Sequence, residues 1–133
     1  MKVRKQKMYQ VDAFSDTVFG GNPAAVCVLE TQLDDDLMQN IAAENNLAET
    51  AFVVRRDSDY EIRWFTPTTE VALCGHATLA SAHVLFRYFE HPTDTISFYS
   101  PHSGNLSVKK NKDLLTRDFP TDQITKVNPV KEI

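Results

Sequence analysis

Thr66-Pro67-Thr68-Thr69-Glu70-Val71-Ala72-Leu73-Cys74-Gly75-His76-Ala77-Thr78-Leu79-Ala80-Ser81-Ala82-His83-Val84-Leu85-Phe86 is the stretch that decides the fold. It holds a proline turn, a Cys-Gly-His corner, and then Ala77 to Phe86 without one charged residue. From Ala77 on, the sequence reads as a helix apolar on nearly every side, which belongs in the middle of a molecule. A helix beginning at Gly75-His76 turns its first backbone N–H groups and the positive end of its dipole toward whatever lies in front of it. That arrangement suits an anion such as a carboxylate. Upstream, Asn45-Asn46-Leu47-Ala48-Glu49-Thr50 places an acid at the mouth of an apolar strand, Ala51 to Val54. Together these two features point to acid/base chemistry on a small carboxylate.

Around this centre the other elements fall into order. Lys7 to Phe14 reads as a first strand, Gly20-Gly21-Asn22-Pro23 as a turn, and Ala24 to Leu29 as an apolar strand. Asp34 to Glu44 has apolar residues at 37, 38, 41 and 42, the spacing of a helix. Its three leading aspartates are expected to cap that helix rather than to hold a metal. Glu49 to Arg56 and Tyr60 to Phe65 form a hairpin about Asp57-Ser58-Asp59. The buried helix runs from Gly75 to about Phe89, followed by strands at Thr95 to Ser100, Leu106 to Lys110 and Leu114 to Phe119. The helix has no polar face to offer water, so the expected fold is α+β: a barrel-like mixed sheet wrapped around one central buried helix.

The chain has 133 residues, enough for one domain with a real core; 42% are hydrophobic and 24% charged. A net charge of −4 argues against a nucleic-acid partner. The Lys109-Lys110-Asn111-Lys112 cluster reads as a solvated turn. No apolar run approaches the roughly 20 residues of a membrane span. The charged N-terminus lacks the apolar core of a secretory signal. The expected location is therefore cytoplasmic, with Cys27 and Cys74 as free thiols. Cys27 is expected to be packing within its strand, and Cys74 to be open to chemistry.

Three motifs carry a resemblance. Gly21-Asn22-Pro23-Ala24-Ala25-Val26, Leu47-Ala48-Glu49-Thr50-Ala51-Phe52, and Thr66-Pro67 through Glu70 to Cys74-Gly75-His76-Ala77-Thr78 occur in the order and spacing of the PhzF-like family, named for phenazine biosynthesis. Phe98, Ser100, Ser103-Gly104 and Leu106 also suit that pattern. The resemblance extends from about Tyr9 to Pro120. It implies the diaminopimelate epimerase-like fold, in which two related lobes each wrap a sheet about a helix and enclose the active site between them. It further implies an isomerase in which a glutamate moves a proton between carbons without a cofactor. By motif that glutamate is Glu49, and Gly75 and His76 belong to the substrate pocket. Members of the family are about twice as long as this chain and carry a second acidic motif that nothing here matches. The resemblance thus covers one lobe, residues 1–115, with 116–133 starting the connection to a second.

The residues leave alternatives open. Glu49 is either the base or an edge-strand carboxylate paired with an arginine such as Arg63. His76 either meets substrate or caps the helix, and Asn22 either faces the cleft or serves a turn. Cys74 is either packing or an active thiol, as in the cysteine-based racemases and epimerases of the same fold. His83, His91 and His102 lack ligand spacing, so no metal site is expected. Glu70 is expected to fix the loop before Cys74, and Trp64 and Phe65 to line the core or a cleft wall. The expected partners are a small carboxylate substrate and a second copy of the chain, a homodimer supplying by symmetry the missing lobe. A non-catalytic binding or dimerisation module is the competing class.

Overall fold

The structure, a computed structural model, describes residues 7–13, 22–111 and 114–118. Its elements are β1 (Met8–Ala13), β2 (Asn22–Leu29), α1 (Asp35–Asn45), β3 (Glu49–Arg55), β4 (Tyr60–Phe65), β5 (Glu70–Val71), α2 (Gly75–Tyr88), β6 (Thr95–Ser100), β7 (Gly104–Asn111) and β8 (Leu114–Asp118). The strands lie in the order β1-β2-β3-β4-β6-β7-β8, with the short β5 added to β4. β2 with β3 and β4 with β6 are parallel, and the other pairs are antiparallel.

The two parallel pairs place the two helices. α1 connects β2 to β3 and α2 connects β4 to β6, and both crossovers step the same way along the sheet. β3 and β4 run in opposite directions. Crossovers of one hand must then drop their helices on opposite faces. The side chains of β3 alternate accordingly. Ala51 and Val53 join the core around α2, whereas Phe52 and Val54 join the core under α1. β3 is consequently apolar at successive positions, as a strand covered on both faces must be.

α2 touches β1, β2, β3, β7 and β8, so both ends of the strand order reach the same helix. The sheet is therefore wrapped about α2, as the apolar sequence requires, and it is not closed. Ala77 to Ala82, Val84 and Leu85 are all buried. The two hydroxyls among them, Thr78 and Ser81, donate to the carbonyls of Cys74 and Ala77 at 2.7 Å, so neither is stranded in the core. Tyr9 of β1 stacks on Tyr88 at a centroid distance of 4.9 Å, fastening the last turn of α2.

Some local expectations change. The turn placed at Gly20 to Pro23 lies outside the described residues at its glycines, while Asn22 and Pro23 already belong to β2 and pair with Ala13 and Asp12. Asp34 stands at the N-cap of α1 without a side-chain cap bond; Asp35 reaches instead to Arg63. Lys109 and Lys110 are exposed positions of β7, not a turn, and Lys112 lies outside the described residues. Trp64 is fully buried in the α2-side core, and its indole nitrogen has no hydrogen-bond partner among the described residues. Residues 119–133, most of the expected connection, also lie outside them.

Candidate functional site

Glu49 owes its place to the end of α1. Asn46 takes the left-handed conformation, φ 50° and ψ 37°, and donates its N–H to the carbonyl of Ala42 at 3.1 Å. Asparagine tolerates that conformation better than most residues, so the helix stops and the chain turns into β3. Asn45 Nδ2 donates to Thr50 Oγ1 at 3.1 Å and ties the turn to the strand. Glu49 is the first residue of β3, two before Ala51, and so shares the face that packs on α2.

The other half of the site is the start of α2. Cys74 occupies the N-cap position with extended backbone (φ −142°, ψ 105°), and Gly75 and His76 open the helix. No acidic residue lies in the first turn and no side chain makes a cap bond there. The loop leading in is braced from two sides. Arg63 Nε and Nη2 donate to the two carboxylate oxygens of Glu70, each at 2.7 Å. The Ser103 hydroxyl donates to the carbonyl of Ala72. Ser103 is itself set by a tight turn. Ser100 Oγ accepts the N–H groups of His102 and Ser103 at 3.2 Å, and Gly104 follows at φ 79°, a conformation that favours glycine. His102 Nε2 lies 3.1 Å from Glu70 Oε2.

These two supports bring Glu49, Cys74 and His76 together. A carboxylate oxygen, the thiol sulfur and an imidazole nitrogen all lie within 4.8 Å of one another. Cys74 Sγ is 3.6 Å from His76 Nδ1 and 3.8 Å from Nε2. Oε2 of Glu49 is buried and has no hydrogen-bond partner among the described residues. Burial pushes the Glu49 carboxyl above its ordinary range, and a hydrogen bond with Cys74 partly offsets that rise. The carboxylate nearby does the opposite: hydrogen bonding to Arg63 holds Glu70 below the usual range. Two acids of one residue type are thus driven apart by their surroundings, the pattern of an acid/base site.

Arg63 pairs with Glu70 and Asp35, and not with Glu49. Glu70 does fix the loop before Cys74. The N-cap belongs to Cys74, and His76 is the second helical residue. Cys74 is only 7% exposed, so its expected openness is corrected: it meets Glu49 and His76 rather than solvent. Cys27 is packing, as expected, its thiol pushed up to about 12 by burial. The side chain of Asn22 lies outside the described residues. The sequence reading missed His102 and Ser103 as braces of the loop; the Ser103-Gly104 pair was the available signal. A concavity of about 540 Å³ lies elsewhere, between the β3–β4 turn and the segment after α2, and contains none of the three site residues. The site instead sits at an exposed rim, beside Leu73, which is 42% exposed.

Known proteins share this framework. A family model described as phenazine biosynthesis-like protein matches residues 11–130. A Pseudomonas aeruginosa protein named an uncharacterized isomerase is 57% identical over 113 residues, covering 85% of this chain and 43% of the relative. One of the same description from Halalkalibacterium halodurans is 52% identical over 118 residues, covering 87% and 44%. The crystal structure of a phenazine biosynthesis PhzF family protein from Enterococcus faecalis superposes with a TM-score of 0.80 at 52% identity, over 84% of this chain and 42% of that one. The chain therefore spans less than half the length of these proteins. Among the described residues, no helix is long and apolar enough to cross a membrane.

Proposed function

This chain belongs to the phenazine biosynthesis-like family, and from that membership we propose that it forms the acid/base half of an isomerase site acting on a small carboxylated metabolite. Glu49 is the base that takes a proton from carbon and returns it to another position, and no cofactor is needed. The amides at Gly75 and His76 hold the substrate carboxylate at the positive end of α2. His76 hydrogen-bonds substrate or donates the returning proton. The observation that carries this reading is the meeting of Glu49, Cys74 and His76 within 4.8 Å at the start of a buried helix.

Proton abstraction from carbon needs a base poised nearer neutrality than an ordinary glutamate. A half-buried carboxyl, with one oxygen enclosed and unpaired, has that property. The cysteine-pair mechanism is less well supported. The chain has two cysteines, and Cys27 lies in the α1-side core, on the opposite face of the sheet from Cys74. A second thiol would have to come from outside this chain.

The other wall of the cleft is also to be supplied. Either a second lobe or, by symmetry, a second copy of the chain covers the rim at Leu73 and completes the site. If neither is present, the lobe is a binding module without turnover. Substrate-dependent deuterium uptake from heavy water, measured over a panel of amino acids and cyclic diene carboxylates, tests the assignment. Glu49→Gln should abolish uptake with the fold intact, and uptake unchanged in that variant would remove Glu49 from the mechanism.

A further inference from the structure

The same three side chains are a metal-ligand set, and we propose that Glu49, Cys74 and His76 bind a borderline-soft divalent cation, Zn²⁺ above all. Their donor atoms are a carboxylate oxygen, a thiol sulfur and an imidazole nitrogen, the three protein ligand types found around zinc. A tetrahedral ion with Zn–S of about 2.3 Å and Zn–N of about 2.0–2.1 Å holds its sulfur and nitrogen roughly 3.6 Å apart. The Cys74 Sγ to His76 Nδ1 and Nε2 distances are 3.6 and 3.8 Å. Either ring nitrogen therefore lies at coordination spacing from the sulfur, and rotation of the imidazole, without movement of the helix, aims one of them at a shared ion. The carboxylate, within 4.8 Å, needs to close by at most roughly 1.5 Å.

Two further observations favour an ion over a simple hydrogen-bonded cluster. The Arg63–Glu70 and Ser103–Ala72 braces hold the loop that leads to Cys74 and His76, and strand pairing holds Glu49 at the start of β3, so the backbone positions of the donors are fixed before an ion arrives. Oε2 of Glu49 is buried without a partner among the described residues, which is the kind of atom a cation satisfies. Three protein ligands leave a fourth position for solvent, reached past the half-buried Glu49 and His76. The mixed sulfur, nitrogen and oxygen set selects against Mg²⁺ and Ca²⁺, which take oxygen ligands. The positive end of α2 opposes a cation with about half an elementary charge. Against it stand two anionic ligands, the carboxylate and the thiolate formed when Cys74 releases its proton to solvent on binding.

The ion's role would be inhibitory, a consequence that rests on Glu49 acting as base: its lone pair, once bound to metal, no longer accepts a proton from carbon. Binding itself needs none of that chemistry. Co²⁺ added to the thiol-reduced chain under anaerobic conditions should give one equivalent of the near-ultraviolet thiolate-to-cobalt charge-transfer band, and Zn²⁺ should displace it. Cys74→Ala should abolish the band, Glu49→Gln and His76→Ala should weaken Co²⁺ binding at least tenfold, and Cys27→Ala should leave it intact. No band at millimolar Co²⁺, or a band that survives Cys74→Ala, overturns the proposal. Circular dichroism of each variant separates lost ligation from lost fold. A band without deuterium exchange supports the ion site while the base assignment fails; exchange without a band does the reverse.

Discussion

Glu49 is a carboxylate whose surroundings work against its charge. Burial raises its proton affinity and Cys74 partly restores the charged form. A base must be ionised to act, so exchange activity should rise with pH, with an inflection above the ordinary glutamate value. Cys74→Ala removes the offsetting hydrogen bond and should move that inflection higher still; a pH–rate profile of the variant checks this, and an unmoved inflection would deny Cys74 its influence. The same shift has a sign for stability. The folded chain holds the Glu49 proton at pH values where the unfolded chain has lost it, so the group's contribution declines as pH rises through that interval. At neutral pH, Glu49→Gln should therefore melt at or above the wild-type temperature while losing exchange, the stability–activity opposition expected of a site residue.

At the level of elements, α2 sets the site by being buried along most of its length. Leu79 and Leu85 are fully enclosed, and replacing either with alanine should cost about 2–5 kcal/mol in urea unfolding. Thr78 matters differently. Its hydroxyl donates to the Cys74 carbonyl, next to the thiol that meets Glu49. Thr78→Val removes one hydrogen bond at nearly constant volume and should cost about 0.5–1.5 kcal/mol. The loop before the helix depends on Arg63, which grips Glu70 with two bonds and Asp35 with a third. Glu70 and Asp35 are both held below the carboxylate range, chiefly by hydrogen bonding to Arg63. The stability Glu70 contributes is present above its unfolded value and is lost as pH falls through the lower, folded one. Acid unfolding of Glu70→Gln followed by circular dichroism should lack that part of the wild-type pH dependence; an unchanged acid limb would show that the brace carries no weight.

Across the whole molecule, the sheet wraps one helix and leaves the catalytic candidates at a rim. Relatives devote more than half of their length to sequence this chain does not match. Leu73 stands exposed beside Cys74 at that rim, an apolar residue in a place that a covering surface would bury. Light scattering should accordingly give twice the chain's mass at micromolar concentration. A monomer would leave the rim at Leu73 uncovered and deny that contact between copies.

Much of this was legible in the residues. The uncharged run after His76 called for a buried helix, and with strands on either side of it in sequence a sheet curved around that helix satisfies the need. The alternation and length of the apolar runs located most strands, and the linked motifs marked Glu49, Gly75 and His76. Both the sheet order and the partner of each charge were hidden, because they depend on contacts between residues far apart in the chain. Arg63 was a reasonable partner for Glu49 by sequence; β5, paired beside β4, brings Glu70 against it instead. Cys74 looked open because a helix N-terminus is an exposed place in an isolated helix; in the fold it joins the core around α2. Local chemistry thus determined which helix would be central and which acid would stand at a strand's mouth. The tertiary structure alone decided that a carboxylate, a thiol and an imidazole would share one small volume, since that meeting is made by the packing of β3 against α2 and by no property of either segment alone.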